Sequence, residues 1–297
     1  SGTSWGQGAI STAKWGGVKL SEVLKLAGLD DPIHAQETGG MEHIRFYSID
    51  GMKASICIEK GLSPYGDCIV AYEMNGEPLP RDHGFPLRVI VPGYAAVRNV
   101  KWLSKIELSG TEADGAWQRG LNYKTLPPSV TDAKTVNLAE MPSMTEVSLF
   151  SGITQTEIVS SSSSPSNDDD DANATTTTAI DAKPGDVVRV KASGWAWAGG
   201  GRNVVRVDLT GDNGASWTTA TLTEGKDQRF GRAWAWVFWE CDDIAATVQP
   251  DGKVRLASKA VDMAFNVQPE SSDHTWNVRG LGNNSWYRTE VTPPQTT

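Results

Sequence analysis

Short runs of alternating apolar and polar residues dominate the second half of the chain. These runs cover residues 186–200, 203–217, 232–240 and 253–262. The Asp-Asn-Gly tripeptide at 212–214 is a hairpin signal. Repeated short strands separated by turns are typical of an antiparallel β-sandwich. In the third run, the alternation puts Trp234, Trp236 and Phe238 on one face, which we expect to be core or subunit interface rather than a ligand platform.

The first half of the chain mixes helical and extended signals. The apolar residues of 19–29 fall on one helical face, with Ser21 as the expected N-cap and Gly28 as the expected C-cap. Residues 43–50 and 87–93 have the composition of strands that end at turns. The sequence therefore predicts the α+β class, with a mixed α+β domain followed by a β-sandwich.

Pro-bearing connections separate the two halves, at 126–130 and 139–144. We place the domain boundary near residue 140, which gives a first domain of residues 1–140 and a second of 141–297. Within the second, residues 161–178 form a polar, acidic, low-complexity stretch that cannot bury enough apolar surface to offset its ordering entropy. We expect this stretch to be a flexible loop inserted in the sandwich.

Composition narrows the classes of function. The 297 residues carry a formal net charge of -9, which argues against general nucleic-acid binding because such binding needs a basic footprint. No apolar run approaches the roughly 20 residues that span a bilayer. Cys57, Cys68 and Cys241 form no CxxC pair and no disulfide framework, and we interpret them as buried thiols.

Positive and titratable groups nevertheless concentrate in one tightly turned segment. His83, Arg88, Arg98 and Lys101 all lie within residues 75–108, which open on a turn rich in Gly and Pro. A local cluster of this kind can set the field of one cleft even in an acidic protein. The acidic net charge therefore does not exclude a small anionic substrate.

Seven stretches of the chain together resemble the sulfite oxidase family of molybdenum enzymes, in collinear order. They are residues 5–17, 71–93, 97–103, 122–130, 194–208, 232–239 and 261–280. The resemblance implies a mixed α+β domain that holds molybdenum-molybdopterin, then an immunoglobulin-like sandwich that forms a homodimer. It also implies oxidation of sulfite to sulfate, with an oxygen taken from water and the redox chemistry carried by the cofactor.

The same resemblance assigns the cofactor contacts. It implies that Asp50 binds the amino-pyrimidine edge of the pterin, and that His83 and Arg88 contact the cofactor. It adds the backbone and side chains of the segment Asn99, Val100 and Lys101. The phosphate of the cofactor needs fixed donors of this kind, so the family pattern explains the positive segment of an acidic chain.

The resemblance also implies a substrate pocket between the two domains. Arg279 would hold the oxyanion with its planar donor fork, and the Tyr123 hydroxyl would hydrogen-bond substrate and help proton movement. Trp5 would wall the pocket. Core packing is the alternative role for Tyr123 and Trp5, and we interpret Arg202 as mainly structural.

The family's metal-ligating cysteine lies in a motif upstream of the segment that matches Trp5, and this sequence contains no such motif. Cys57, Cys68 and Cys241 do not fall in matching contexts, so no metal ligand is assigned, although molybdenum favours thiolate. Three explanations compete: the chain is N-terminally incomplete, a separate chain supplies the rest, or the protein is a catalytically silent relative. The abrupt start at Ser1 favours the first, and activity of this chain alone is in doubt.

Two other functions stay open from the sequence. One is the molybdenum domain of nitrate reductase, against which Tyr123 argues because nitrate reductases usually lack it. The other is a non-catalytic dimerisation or assembly subunit. The resemblance leaves the electron acceptor open between cytochrome c, reached through a haem domain before residue 1, and oxygen. It favours the mitochondrial intermembrane space as the compartment.

Overall fold

A computed structural model describes residues 6–7, 9–29, 31–161 and 182–293. The predicted wall residue Trp5 and residues 162–178 of the predicted flexible loop lie outside this part of the chain. Its α-helices are α1 (Leu20–Leu26), α2 (Pro32–Gly39), α3 (Ile58–Leu62) and α4 (Ala116–Arg119). Short 3₁₀ turns lie at Arg81–His83, Ala96–Arg98, Leu121–Tyr123, Ala133–Thr135, Leu138–Glu140 and Ser272–Thr275.

Two small antiparallel sheets build the first half. The strands are β1 (Trp15–Lys19), β2 (His43–Ser48), β3 (Lys53–Cys57), β4 (Ile69–Met74), β5 (Glu77–Pro78), β6 (Arg88–Ile90) and β7 (Leu103–Ser109). In one sheet, β4 pairs with β1, β5 and β6; in the other, β2 lies between β3 and β7. Alternate residues of β2 point inward, and Ile44 and Phe46 are fully buried in the core. The mixed α+β prediction is confirmed for this half.

Helix α1 differs in detail from the sequence prediction. Ser21 was expected to be the N-cap, but the helix begins at Leu20 and its N-cap is Lys19, without a side-chain cap. The reason is tertiary: Lys19 is the last residue of β1 and pairs with Ile69 of β4, so the chain leaves the sheet directly into the helix. The C-cap residue is Ala27, and Gly28 follows with a φ of 88°, which suits a residue without a Cβ.

Two four-stranded antiparallel sheets form the sandwich of the second half. Their strands are β8 (Phe150–Ser161), β9 (Val187–Trp197), β10 (Val204–Thr210), β11 (Thr218–Thr219), β12 (Thr221–Leu222), β13 (Val237–Thr247), β14 (Val254–Asp262) and β15 (Tyr287–Val291). The strand orders are β11-β10-β14-β15 and β12-β13-β9-β8. A core that includes Leu209, Trp239 and Leu256 lies between the sheets. The predicted sandwich is confirmed, and its first strand begins at Phe150; the boundary near residue 140 stays a prediction.

The alternating face of the tryptophan-rich run does not lie in the core, and its alternative role as a subunit interface stays a prediction. Strand β13 begins only at Val237, and its inward residues are Val237, Trp239 and Cys241. Trp239 pairs with Gly194, where an added Cβ would lie 2.4 Å from the Trp239 ring. The missing side chain at Gly194 is what admits the indole to the core. Trp236 and Phe238 therefore point away from the core and are half-buried on the other face of that sheet.

Backbone hydrogen bonds and one ion pair join the two halves. The Val147 amide donates to the Gly93 carbonyl at 3.0 Å. Asp67 accepts from the Arg232 guanidinium and from the Trp234 indole, both at 2.8 Å.

Arg202 links Glu146 to the fully buried Asp262, at 2.8 and 3.0 Å, which fits the structural role expected of it. Among the described residues, no helix is long and apolar enough to cross a membrane.

Candidate cofactor and substrate site

The turn after the Arg81–His83 3₁₀ helix brings Arg88 and Lys101 together. Gly84 has a φ of 110°, and an added Cβ there would lie 3.0 Å from the Lys101 Cβ and 3.2 Å from the Arg88 Cβ. A residue with a side chain would be strained at this φ and would also push the two basic residues apart. The Gly therefore explains how two cationic residues, 13 positions apart in sequence, come to adjoin one turn.

The Arg88 side chain is buried without a carboxylate. Its guanidinium donates to the carbonyls of His83 at 2.9 Å and Asn99 at 3.2 Å, and it lies 4.6 Å from the ring centroid of Trp15. Burial lowers the pKa of Arg88 to about 10, and Arg88 forms no ion pair with a described residue. Its Nε is buried and has no hydrogen-bond partner among the described residues. A buried cation of this kind is costly unless an anion joins it.

Lys101, Asp50 and His83 lie at the outer side of the same turn. The Lys101 ammonium donates to the Asp82 carbonyl at 2.8 Å and lies 4.5 Å from the Trp102 ring centroid. Asp50 is exposed; the Met52 amide, then the Ser48 hydroxyl and the nearby Lys101 charge, lower the pKa of Asp50. His83 is exposed too. The structure therefore brings His83, Arg88 and Lys101 to one turn and places Asp50 within reach of the Lys101 charge, and their contacts with a cofactor stay predictions.

The segment between Arg98 and Lys101 serves this cluster mainly through its backbone. The Asn99 carbonyl accepts from Arg88, and its side-chain Oδ1 accepts from the Val91 amide at 2.6 Å. Val100 is fully buried in the core; its amide donates to the Arg98 carbonyl and its carbonyl accepts from Val89. Both backbone groups of Val100 are thus paired within the chain, and its contact with a cofactor stays a prediction.

These residues fit the anionic part of a molybdopterin. The orphaned Nε and the missing carboxylate at Arg88 suit a phosphate oxygen, and Lys101 adds a second cation beside the same turn. A site for the metal itself is not found among the described residues, because no group of three or more His, Cys, Asp and Glu side chains there could hold a metal ion. Burial raises the pKa of Cys68 to about 12 and also raises that of Cys241, which keeps both as thiols.

Arg279 reaches across the two halves of the molecule to the residue before Tyr123. The Arg279 guanidinium donates to the Asn122 side-chain carbonyl, although the two residues are 157 positions apart, and Arg279 itself is exposed. The Tyr123 ring is half-buried and packs edge-on against Trp117, with centroids 6.0 Å apart. The structure thus brings Arg279 to the Tyr123 segment through Asn122, and this neutral partner leaves the Arg279 charge without a carboxylate at that contact.

Next to Tyr123 lies a buried network of charged residues, Arg98, Glu112 and Lys124, which was not predicted from the sequence. Lys124 is 1% exposed and Arg98 0% exposed. The Lys124 ammonium donates to the Met141 carbonyl at 2.8 Å and pairs at 2.5 Å with Glu112. Burial alone would raise the pKa of Glu112, but hydrogen bonds from Lys124, Ser143 and Gln118 outweigh it and leave that pKa below its ordinary value. One sequence feature could have indicated this network, namely the position of Lys124 directly after Tyr123.

Two family models match the chain. Residues 1–117 match the oxidoreductase molybdopterin binding domain, and residues 172–293 match the Mo-co oxidoreductase dimerisation domain. Both matches agree with the structure, in which Asp50, His83, Arg88 and Lys101 lie in the first half and the sandwich lies in the second.

Curated relatives extend the match over nearly the whole chain. The mitochondrial sulfite oxidase of Drosophila melanogaster is 39% identical over 98% of this chain, which spans 47% of that protein. The sulfite oxidase of Arabidopsis thaliana is 36% identical over 97% of this chain and is covered to 69% of its length. A nitrate reductase from Hordeum vulgare is more distant, at 34% identity, with 31% of its length covered. The chain thus spans about half the length of the animal relatives.

A solved structure has the same fold. The sulfane dehydrogenase SoxCD from Paracoccus pantotrophus superposes with a TM-score of 0.63, over 95% of this chain and 61% of that chain. Sequence identity is 22%, so this likeness supports the fold alone.

Proposed function

The chain belongs to the sulfite oxidase family of molybdopterin-dependent oxidoreductases, and we propose that it contributes two sites to a protein that oxidises sulfite to sulfate. The first is a cofactor cradle, formed by Asp50, His83, Arg88 and Lys101. The second is a substrate anion site, formed by Arg279 and Tyr123. Its relatives in Drosophila and Arabidopsis carry the name of this activity. The nitrate reductase alternative has weaker support, because the barley relative is more distant.

The cofactor would be held by the turn around Gly84. When bound, molybdenum-molybdopterin would supply the two-electron redox chemistry, with the added oxygen coming from water. Arg88 would bind its phosphate from inside the protein, where the low dielectric strengthens the contact, and Lys101 and His83 would bind from the outer side. Asp50 would accept paired N–H groups of the pterin, which requires a carboxylate that stays ionised. The lowered pKa of Asp50 supports that requirement.

The substrate would bind between the two halves of the molecule. Sulfite is an oxyanion, and the planar fork of Arg279 matches its geometry. The Tyr123 hydroxyl would donate a hydrogen bond to sulfite or hold a proton at its oxygen during turnover. Trp5, which lies outside the described residues, would form the wall of this pocket. The contact between Arg279 and Asn122 carries the proposal, because it brings the sandwich to the Tyr123 segment.

Assembly, acceptor and compartment are further parts of the proposal. Residues from about 141 onward would form a homodimer, as the match to a dimerisation domain supports. Electrons would leave to cytochrome c, through a haem domain elsewhere in the protein, or to oxygen. The mitochondrial names of the Drosophila and rat relatives support a mitochondrial compartment, for which we propose the intermembrane space.

Replacement of Arg279 by Gln tests the proposed substrate site. In cofactor-loaded protein from the natural source, loss of one charge-assisted contact of about 1.5–3 kcal/mol should raise the KM for sulfite about tenfold or more. Arg288→Gln is the matched control, because Arg288 is also an exposed Arg of the sandwich but donates to the Glu270 carbonyl within the same domain. Unchanged KM and kcat in Arg279→Gln would remove Arg279 from the site.

A further inference from the structure

Arg98 is a fully buried cation that forms no direct ion pair with any residue the structure describes. Its side chain is 0% exposed. One terminal nitrogen donates to the Trp117 carbonyl at 3.1 Å and to the Gln118 side-chain carbonyl, and the other donates to the Met144 carbonyl at 2.7 Å. All three acceptors are neutral. Buried Arg residues are rare unless they are paired, so this arrangement calls for a reason beyond packing.

Two of the three acceptors of Arg98 also contact Tyr123. The Met144 amide donates to the Tyr123 carbonyl at 2.8 Å. The Trp117 ring packs edge-on against the Tyr123 ring, with an angle of 68° between the planes. One guanidinium therefore contacts the carbonyl of a residue bonded to the Tyr123 backbone and the carbonyl of a residue packed on the Tyr123 ring.

The backbone of Arg98 belongs to the other part of the site. Arg98 ends the Ala96–Arg98 3₁₀ turn, and its carbonyl accepts from the Val100 amide at 3.0 Å. The next residue, Asn99, accepts from the buried guanidinium of Arg88. Arg98 is thus joined at one end to the proposed cofactor cradle and at the other to the proposed substrate tyrosine.

We propose that Arg98 is a positioning residue that fixes the Tyr123 hydroxyl relative to the cofactor cradle. This inference rests on the proposed role of Tyr123 and adds a residue that does not itself touch substrate or cofactor. A guanidinium suits the task because its donors diverge in a rigid plane and contact two chain segments at once, whereas a Lys ammonium is a single point charge on a flexible stem.

The neighbouring groups keep Arg98 charged and in place. Burial lowers the pKa of Arg98 to about 10, and the Glu112 carboxylate opposes that effect. Gln118 bridges the two, since its amide donates to Glu112 at 3.1 Å and its carbonyl accepts from Arg98. The same carbonyl accepts from the Ser55 amide at 3.0 Å, which ties the network to strand β3.

Arg98→Lys is the direct test, in cofactor-loaded protein from the natural source. This substitution keeps the positive charge but cannot contact the Trp117 and Met144 carbonyls at the same time. Tyr123 should therefore be displaced, and the kcat for sulfite should fall roughly 10- to 100-fold. The KM should stay close to that of wild type, because Arg279 is unchanged. The matched control is Arg255→Lys, on the exposed ion pairs of β14, which should leave both constants unchanged.

A double-mutant cycle separates positioning from general structural damage. If Arg98 acts through the Tyr123 hydroxyl, Arg98→Lys should change kcat by no more than about twofold in a Tyr123→Phe background. Independent, multiplying effects of the two substitutions would overturn the proposal, as would an unchanged kcat in Arg98→Lys alone.

Hydrogen exchange supplies a readout that needs no turnover. The Met144 amide, which donates to Tyr123, should exchange faster in Arg98→Lys and at the wild-type rate in Arg255→Lys; equal rates in both would overturn the coupling. If the wild-type protein does not oxidise sulfite, the proposed function is wrong. The exchange rate of the Met144 amide would still show whether Arg98 holds the segment that contacts Tyr123. If Arg98→Lys does not fold, Ser143→Ala carries the same cycle and exchange test, because it removes the hydroxyl that joins residue 143 to Glu112 and Gln118.

Discussion

Replacement of Arg88 by Met should separate the stability of the chain from its affinity for the cofactor. Met has a similar length and no charge. Its introduction removes the cost of burying a cation, since the fall of the Arg88 pKa from 12.5 to about 10 corresponds to about 3 kcal/mol of desolvation. It also removes the hydrogen bonds to the His83 and Asn99 carbonyls, at about 0.5–1.5 kcal/mol each.

These opposing effects nearly cancel in the cofactor-free chain. We therefore expect the free energy of unfolding of Arg88→Met to lie within about 2 kcal/mol of wild type. Cofactor binding has no such compensation. Loss of a charge-assisted contact with phosphate costs about 1.5–3 kcal/mol, which raises the dissociation constant about 10- to 150-fold.

Two assays measure the two quantities. Denaturant unfolding of the cofactor-free chain gives the free energy, provided that the slope with denaturant does not change. Molybdenum and pterin content after dialysis of the loaded protein gives the relative affinity. Arg255→Met, at an exposed position of β14, is the control and should change neither. Wild-type cofactor retention in Arg88→Met would refute the assignment of Arg88 to the phosphate.

Three other predictions concern the substrate tyrosine, the buried network and the sandwich. Tyr123→Phe should lower kcat/KM for sulfite about tenfold or more with normal molybdenum content; a change in thermal stability alone would show that the hydroxyl has no catalytic role. Because the folded-state pKa of Glu112 lies below its ordinary 4.5, its contribution to stability is present above that pH and is lost on acidification, so Glu112→Gln should show a shallower loss of stability below about pH 4.5 than wild type; parallel pH profiles would count against this. Gly194→Ala should destabilise the sandwich by about 1–3 kcal/mol, because the new Cβ would lie 2.4 Å from the Trp239 ring, whereas Gly39→Ala, with 3.4 Å to its nearest neighbour, should not; equal unfolding midpoints for the two variants would contradict the packing argument.

Local pattern predicted three strands of the sandwich well. Strands β9, β10 and β14 fall inside the alternating stretches 186–200, 203–217 and 253–262. Burial on one side follows a period of two along residues 187–192 of β9, whereas β10 and β14 bury consecutive residues on both faces. The run 232–240 failed because residues 232–236 alternate without being a strand. The contact that sets the true face, between Trp239 and Gly194, joins residues far apart in sequence.

The candidate site was predictable to the extent that its residues are close in sequence or belong to the family pattern. Arg88 and Lys101 adjoin a single turn, so their association follows from the Gly and Pro residues around it. The pairing of Arg279 with Asn122 crosses both halves, and only the collinear resemblance indicated it. The network of Arg98, Lys124 and Glu112 was missed because charged residues usually lie at the surface, and only the tertiary structure shows that these are buried.

We propose that this chain forms part of a molybdenum-dependent sulfite oxidase. Metal analysis of the protein from its natural source, combined with turnover of sulfite and nitrate on the same sample, tests this proposal. We expect molybdenum in equimolar amount to the chain, sulfite oxidation that is lost when the cofactor is removed, and no comparable reduction of nitrate. A preparation without molybdenum, or one that turns over nitrate and not sulfite, would contradict it.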